Sequence, residues 1–317
     1  MYRTVLVPLD GSAFGEHALP LALSIARRAG AKLQLVYVHT PLTALYGDGI
    51  VYRDESLEAY FEKTQQNYLE GVAKRLGSVC RVPVATLRLE GEIAATIGRQ
   101  AVSGGADLVV MTTHARGPLG RFWLGSVADE LVRSLPGPLL LVRPGEGTPD
   151  LTREPILKHI LLPLDGSTLA EQIIEPAIAL GRLMNADYTL LRVIHPVLPA
   201  SCYLEGTAES HSLHQSVQSV LDKIARMHKE LQVEAQAYLD LVAQRLRAQS
   251  LFVQTRIVAE EQPAAAILHE AMGPGCDLVA LETHGRRGLA RLIRGSVAEK
   301  VLRSVSQPML VHCPTEK

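Results

Sequence analysis

A chain of 317 residues is too long for one ordinary domain and comfortable for two, each able to bury a core of its own. Its 47% apolar and 21% charged residues are those of a soluble globular protein, and a formal net charge of −1 gives no attraction to nucleic acid or to an anionic membrane. The opening MYRTVLVPLD has neither a signal-peptide core nor a transit peptide, and no apolar run is long enough to span a bilayer, so a cytoplasmic protein with no membrane partner is expected. Cys80, Cys202, Cys276 and Cys313 form no CxxC pair, and His211 and His214 have no third ligand nearby, so neither disulfide framework nor metal site is signalled.

In chain order, the apolar run Arg3–Leu9 predicts a strand covered on both faces. Asp10-Gly11-Ser12 turns the chain, with Ser12 placed to cap a helix over Glu16–Ala29. Leu33–His39 is the second strand. A loop with Pro41, Gly47 and Gly49 leads to a long polar helix near Ser56–Leu76 and a third strand, Val82–Leu89. The turn at Glu90-Gly91 enters a helix over Ile93–Ser103, Leu108–Thr112 is the fourth strand, and helix Ser126–Leu135 and strand Leu139–Arg143 close the unit. Strands alternating with helices predict a parallel sheet wrapped on both faces.

The pattern then repeats. VLVPLDGS at Val5–Ser12 and ILLPLDGS at Ile160–Ser167 agree at six of eight positions, with Asp10 and Asp165 separated by 155 residues. GADLVVMTTHARGPLGRFWLGSVADELVRS at Gly105–Ser134 returns as GCDLVALETHGRRGLARLIRGSVAEKVLRS at Gly275–Ser304, 170 residues later. The second copy therefore carries 15 extra residues, placed within Pro196–Ser250 as a looped segment and a helix continuing to about Gln249. Its strands are expected at His159–Leu164, Thr189–Ile194, Phe252–Val258, Leu278–Leu281 and Met309–His312. The Pro-, Gly- and charge-rich stretch Gly145–Pro155 marks a linker. The division is domain 1 at 1–146, linker at 147–157 and domain 2 at 158–317.

These motifs, present twice, resemble the universal stress protein family, here as two domains in one chain. The resemblance implies two doubly wound α/β domains with five-stranded parallel sheets of order 3-2-1-4-5, pairing through their last strands as an intrachain pseudo-dimer. A homodimer of whole chains is compatible with it. In such a sheet ligands bind where strand order reverses, at the carboxyl ends of strands one and four. Asp10 and Thr112–Ala115 would meet there, as would Asp165 and Glu282–Gly285. Nucleotide-binding members carry Gly, two residues, Gly, nine residues, then Gly and Ser or Thr. The matching positions are Thr112, Ala115, Gly125 and Ser126, and Glu282, Gly285, Gly295 and Ser296; both copies keep the Gly-Ser end and depart at the front.

By resemblance, ATP, with or without magnesium, is the expected ligand and adenine nucleotide the expected partner. The first-domain site would comprise Pro8, Leu9, Asp10, Val38, Met111, Thr112, Ala115, Gly125, Ser126 and Val127. The second would comprise Leu164, Asp165, Ile194, Gly285, Gly295, Ser296 and Val297. Thr112 and Ala115 are small and leave the first site room. A carboxylate at Glu282 about 4 Å from a phosphate charge would repel it by roughly 4 kcal/mol at an effective dielectric of 20, which Arg286, Arg287 or magnesium could offset, so the first site is favoured. Against this stand bland readings. Ser126 with Asp129 and Ser296 with Glu299 have the spacing of capping boxes, Asp10 and Asp165 could serve only their turns, and His114 and His284 could simply bond the loop backbone. The expected role is a stress-response regulator that senses nucleotide, with at most slow hydrolysis. The alternatives are a nucleotide-independent scaffold or chaperone-like protein and a true enzyme, the latter lacking any GxxxxGK[ST] loop.

Overall fold

The computed structural model describes residues 2–41, 44–45, 51–52, 55–113, 124–196, 211–283 and 296–313. Domain 1 contains β1 (Thr4–Leu9), a 3-10 turn at Gly15–Ala18, α1 (Leu19–Ala29), β2 (Lys32–His39), the two-residue strands β3 (Ala44–Leu45) and β4 (Val51–Tyr52), α2 (Glu55–Val79) and β5 (Val84–Glu90). It continues through α3 (Ile93–Ser103), β6 (Leu108–Thr112), α4 (Ser126–Ser134) and β7 (Gly137–Val142). Domain 2 repeats the plan with β8 (His159–Pro163), a 3-10 turn at Ala170–Ile173, α5 (Ile174–Met184), β9 (Asp187–Ile194), α6 (His211–Arg247), β10 (Val253–Ala259), α7 (Pro263–Met272), β11 (Leu278–Glu282), α8 (Ser296–Ser304) and β12 (Met309–Cys313).

The main sheet runs β10-β9-β8-β11-β12-β7-β6-β1-β2-β5. Each half is the expected 3-2-1-4-5, and all pairings within a half are parallel. The halves join antiparallel through β7 and β12, with Leu140 opposite Leu310 and Leu139 opposite Val311. The two last strands thereby lose their edges to each other, and the outer edges of the ten-stranded sheet become β5 and β10. Two apolar clusters fill the faces. One gathers α1, α2, α5 and α6, and the other α3, α4, α7 and α8, each continuous across the pseudo-twofold axis.

Local rules account for most element ends. Gly30 ends α1 in the left-handed region at φ 65°, and Asn185, the residue type next most tolerant of it, ends α5 at φ 53°. The Asp107 carboxylate accepts from the N–H groups of Arg3 and Thr4 at 2.7 and 2.9 Å, and Asp277 does the same for Lys158 and His159 at 2.7 and 3.0 Å. In both copies this ties the start of strand four to strand one. Between the domains, Glu154 pairs with Arg27 and Arg28, and Ser24 Oγ donates to Pro155 O at 2.7 Å.

Several expectations shift. The first helix begins at Leu19, because Gly15–Ala18 forms a 3-10 turn and Pro20 sits in the first turn of the α-helix. Ser12 accordingly serves that turn, accepting from Gly15 N at 3.1 Å. Strand three starts at Val84, after Pro83, and strand five ends at Val142. The loop before α2 holds the antiparallel pair β3–β4, with Ala44 opposite Tyr52. The 15-residue insertion lengthens a helix: α6 has 37 residues against 25 in α2.

Candidate functional site: the crevice at the carboxyl ends of strands one and four

β1 lies between β2 and β6, paired with β6 at Val5–Leu108 and Leu6–Val109. Beyond these strands the chain leaves β1 toward α1 on one face and β6 toward α4 on the other, opening the crevice of a doubly wound sheet. Asp10 stands at its edge. One carboxylate oxygen accepts from Ser12 N at 3.0 Å and Ser12 Oγ at 2.7 Å, an Asx turn that fixes the side chain. Gly11 adopts φ 82°, and a Cβ there would meet the Tyr37 ring at 3.6 Å. A Cβ on Gly15 would lie only 2.6 Å from Asp10 Oδ1, so the carboxylate occupies space that glycine vacates.

Across the crevice, Met111 and Thr112 are buried at the end of β6 and Thr113 N donates to Val142 O at 3.0 Å. Gly125 N donates to Thr113 O at 2.8 Å, which seats the amino end of α4 directly beside the strand end. Gly125 is the cap residue, in extended conformation at φ −61° and ψ 152°, and has no side chain with which to cap the helix. The capping box that the spacing of Ser126 and Asp129 offered as an alternative is not formed: Ser126 is already the first helical residue and is exposed, while Asp129 pairs with Arg133. The first turn of α4, with Ser126 and Val127, begins beside the strand end, and the helix dipole leaves positive potential there. Pro8, Leu9 and Val38 line the strand ends.

The second crevice repeats the frame with different side chains. Asp165 makes the same turn, accepting from Ser167 N at 2.9 Å and Ser167 Oγ at 2.6 Å, yet it is exposed where Asp10 is half-buried. Ala170 stands at the position of Gly15, and Leu164 is buried. Strand register aligns Tyr37 with Arg192 and Val38 with Val193, so Ile194 corresponds to His39 and lies on the opposite side of the strand from Val38. Arg192 donates to Leu164 O at 3.3 Å and lies over Gly166 as Tyr37 lies over Gly11.

Glu282 takes the place of Thr112. Its carboxylate, 3% exposed, turns to His312 of the neighbouring strand, with Nδ1 at 3.1 and 3.2 Å from its two oxygens. Burial holds its pKa above the ordinary carboxylate value, against the opposing pull of the His312 contact. Its carboxylate is thus already engaged inside the protein. Ser296 and Val297 begin α8. Ala115, Gly285 and Gly295 lie outside the described residues, as do His114, His284, Arg286 and Arg287.

Three flanking features escaped the motif reading. Glu16, buried beside Asp10's turn, pairs with Arg75 at 2.8 Å and adjoins Tyr68, whose hydroxyl is pushed above its ordinary pKa by burial and by that carboxylate. Glu171, Arg245 and Tyr238 reproduce the set, with Arg245 2.6 Å from Glu171. The signal was available in the repeat: Glu16 and Glu171 are 155 residues apart, and tyrosine precedes arginine by seven residues in both helices. In domain 1 alone, His39 is bracketed by Glu58 at 2.8 Å and Gln65 at 2.9 Å, with Arg88 Nε donating to Gln65 Oε1 at 3.0 Å.

Among the described residues no helix is long and apolar enough to cross a membrane, and no group of three or more metal-ligating side chains is assembled. A model of the universal stress protein family matches residues 1–143 and again 157–312. A universal stress protein of Mycolicibacterium smegmatis is 26% identical over 319 aligned residues, covering 98% of this chain and 97% of that one. One from Thermus aquaticus is 33% identical over 143 residues, 45% of this chain and all of that protein. Among solved structures, a universal stress protein of Archaeoglobus fulgidus superposes with a TM-score of 0.66 over 99% of this chain and 97% of that one, at 15% identity, which speaks for the shared fold. With the family model matched twice and the doubly wound sheet built twice, this chain belongs to the universal stress protein family as a tandem of two family domains.

Proposed function

We propose that the first domain binds an adenine nucleotide, ATP, in its crevice and that the chain acts as a nucleotide-responsive stress regulator in the cytoplasm. One observation carries this reading: α4 begins on a glycine, which brings no capping side chain of its own, immediately beside the end of β6 in the crevice that Asp10 borders. The N–H groups of a helix start suit phosphate oxygens, and Thr112, buried at the strand end, is uncharged and smaller than the Glu282 of the second copy. ATP would contribute the polyphosphate charge, with magnesium as a companion ion, while Leu9, Asp10 and Val38 receive the base. The second crevice is the poorer host, since Glu282 replaces Thr112 and Asp165 swings outward. Turnover should be slow, because the candidate general bases are Asp10 and His114 alone; Asp10 is engaged by Ser12, and His114 lies outside the described residues.

The test is to denature freshly purified protein and quantify released nucleotide by chromatography and mass spectrometry, beside Gly125→Glu and Gly295→Glu variants. About one equivalent of ATP, lost only with Gly125→Glu, is the expected result. No nucleotide, and no thermal shift with magnesium and ATP, refutes the reading. It would then favour a scaffold role, for which α6 with Met227 and Leu231 exposed is the supporting observation.

A further inference from the structure

The helix at the first crevice is held in place from the second domain. The last four carbonyls of a helix lack intrahelical donors, and in α4 one of them, Val132 O, accepts from Thr283 Oγ1 at 3.2 Å in a buried hydrogen bond. Thr283 directly follows β11, next to Glu282, at the second crevice. Its hydroxyl is shared with His312 O, also at 3.2 Å, and its N–H donates to the same carbonyl at 3.0 Å. The reverse strap exists as well. Arg143, at the end of β7 in domain 1, donates through Nη2 to Arg303 O at 2.7 Å and Leu302 O at 3.4 Å in the last turn of α8.

Each domain thus supplies the donor that completes the carboxyl end of the other domain's motif helix. α4 has nine residues, about 13 Å of rigid rod at 1.5 Å per residue. Its Ala128, Leu131 and Val132 are locked into the core, leaving it little freedom to bend. One end meets the candidate anion position, and the other meets a threonine beside the buried Glu282–His312 pair.

We propose that Thr283 is a positioning residue for the first domain's anion site and that α4 couples the two crevices. Force applied to the start of α4 moves the helix as a unit and is felt at Thr283; a change at Glu282 or His312 travels the opposite way. The anion-site half of this statement rests on the nucleotide reading above, whereas the mechanical coupling does not.

The experiment is amide hydrogen exchange on the full chain, first without nucleotide. Thr283→Val, close in shape, should accelerate exchange at the far end of α4, at Gly125 and Asp129, by about fivefold or more, the lower bound of ordinary coupling, and Thr283→Ser should restore the parent rates. Acceleration confined to the last turn of α4, or absent, overturns the coupling regardless of whether ATP binds. Magnesium ATP is then added. In the parent, protection should appear at Asp129 and also at the Thr283 amide, and Thr283→Val should keep the first and lose the second. Protection at Asp129 without any response at Thr283 in the parent also overturns it. If ATP changes nothing anywhere, the nucleotide reading fails, and the nucleotide-free comparison decides the coupling.

Discussion

Replacing Gly15 by alanine sets a methyl group 2.6 Å from Asp10 Oδ1, well inside van der Waals contact. The carboxylate must rotate, and among the described residues it is held by Ser12 N at 3.0 Å and Ser12 Oγ at 2.7 Å. The second copy shows how far it can move. There Ala170 coexists with bonds of 2.9 and 2.6 Å from Ser167 to Asp165, and the aspartate has become exposed. Both hydrogen bonds therefore survive, and removing a flexible glycine from a 3-10 turn offsets part of any remaining strain. The variant should lose no more than about 1 kcal/mol of stability. Ligand binding should suffer more. If Asp10 bonds the nucleotide, displacing it forfeits a charged hydrogen bond of about 1.5–3 kcal/mol, roughly 10- to 150-fold in affinity. Isothermal titration with ATP and urea denaturation, each repeated in an Asp10→Ala background, separates the terms. Gly15→Ala should cost affinity alone and nothing further once Asp10 is gone. An equal loss in the Asp10→Ala background, or a destabilisation of several kcal/mol, would refute the argument.

Other perturbations test the frame around the crevices. The Tyr188 hydroxyl is buried with no hydrogen-bond partner among the described residues, and burial raises its pKa to about 12. Tyr188→Phe should therefore stabilise the protein by about 1 kcal/mol in urea denaturation. Gly181→Ala should cost about 1–3 kcal/mol by overpacking, because the new methyl meets that hydroxyl and Ile160 Cδ1, and Tyr188→Phe should recover part of the loss. Glu282→Gln addresses pH. Burial raises the folded-state pKa of Glu282, so the folded protein holds this proton more tightly than the unfolded chain, and stability from this group falls as pH rises through the unfolded value of about 4.3 toward the folded one. The advantage of the glutamine variant over the parent should grow with pH across that window and then level off; a difference independent of pH would contradict the assignment. Leu310→Ala, at the fully buried seam opposite Leu140, should cost about 2–5 kcal/mol in denaturation experiments.

Much of the fold was legible because the parallel sheet buries both faces of its strands, leaving continuous apolar runs such as Leu108–Thr112 bounded by turn residues. The helix Ile93–Ser103 was equally plain, and Glu92, accepting from Ala94 N and Ala95 N at 3.1 and 2.7 Å, supplies its cap. The expected capping by Ser12, which serves a 3-10 turn and not α1, and the alternative capping reading of Ser126 differ from the structure for one reason. Residue spacing identifies a helix start to within a turn, whereas capping depends on which residue adopts extended backbone, and at α4 that is Gly125.

Duplication followed from the sequence alone, since it rests on short motifs that recur at fixed spacing, whereas strand order and the position of the crevice came from the family resemblance that those motifs carry. Only the tertiary structure decided what fills the crevices and what links them. Glu282 reads in sequence as a charge facing phosphate, but His312 on the adjoining strand draws it inward. Thr283 reads in sequence as part of the loop after the fourth strand, but its hydroxyl reaches a helical residue 151 positions away. Side-chain direction and partners across the pseudo-twofold axis arise from long-range packing of β7 against β12, which no local pattern encodes.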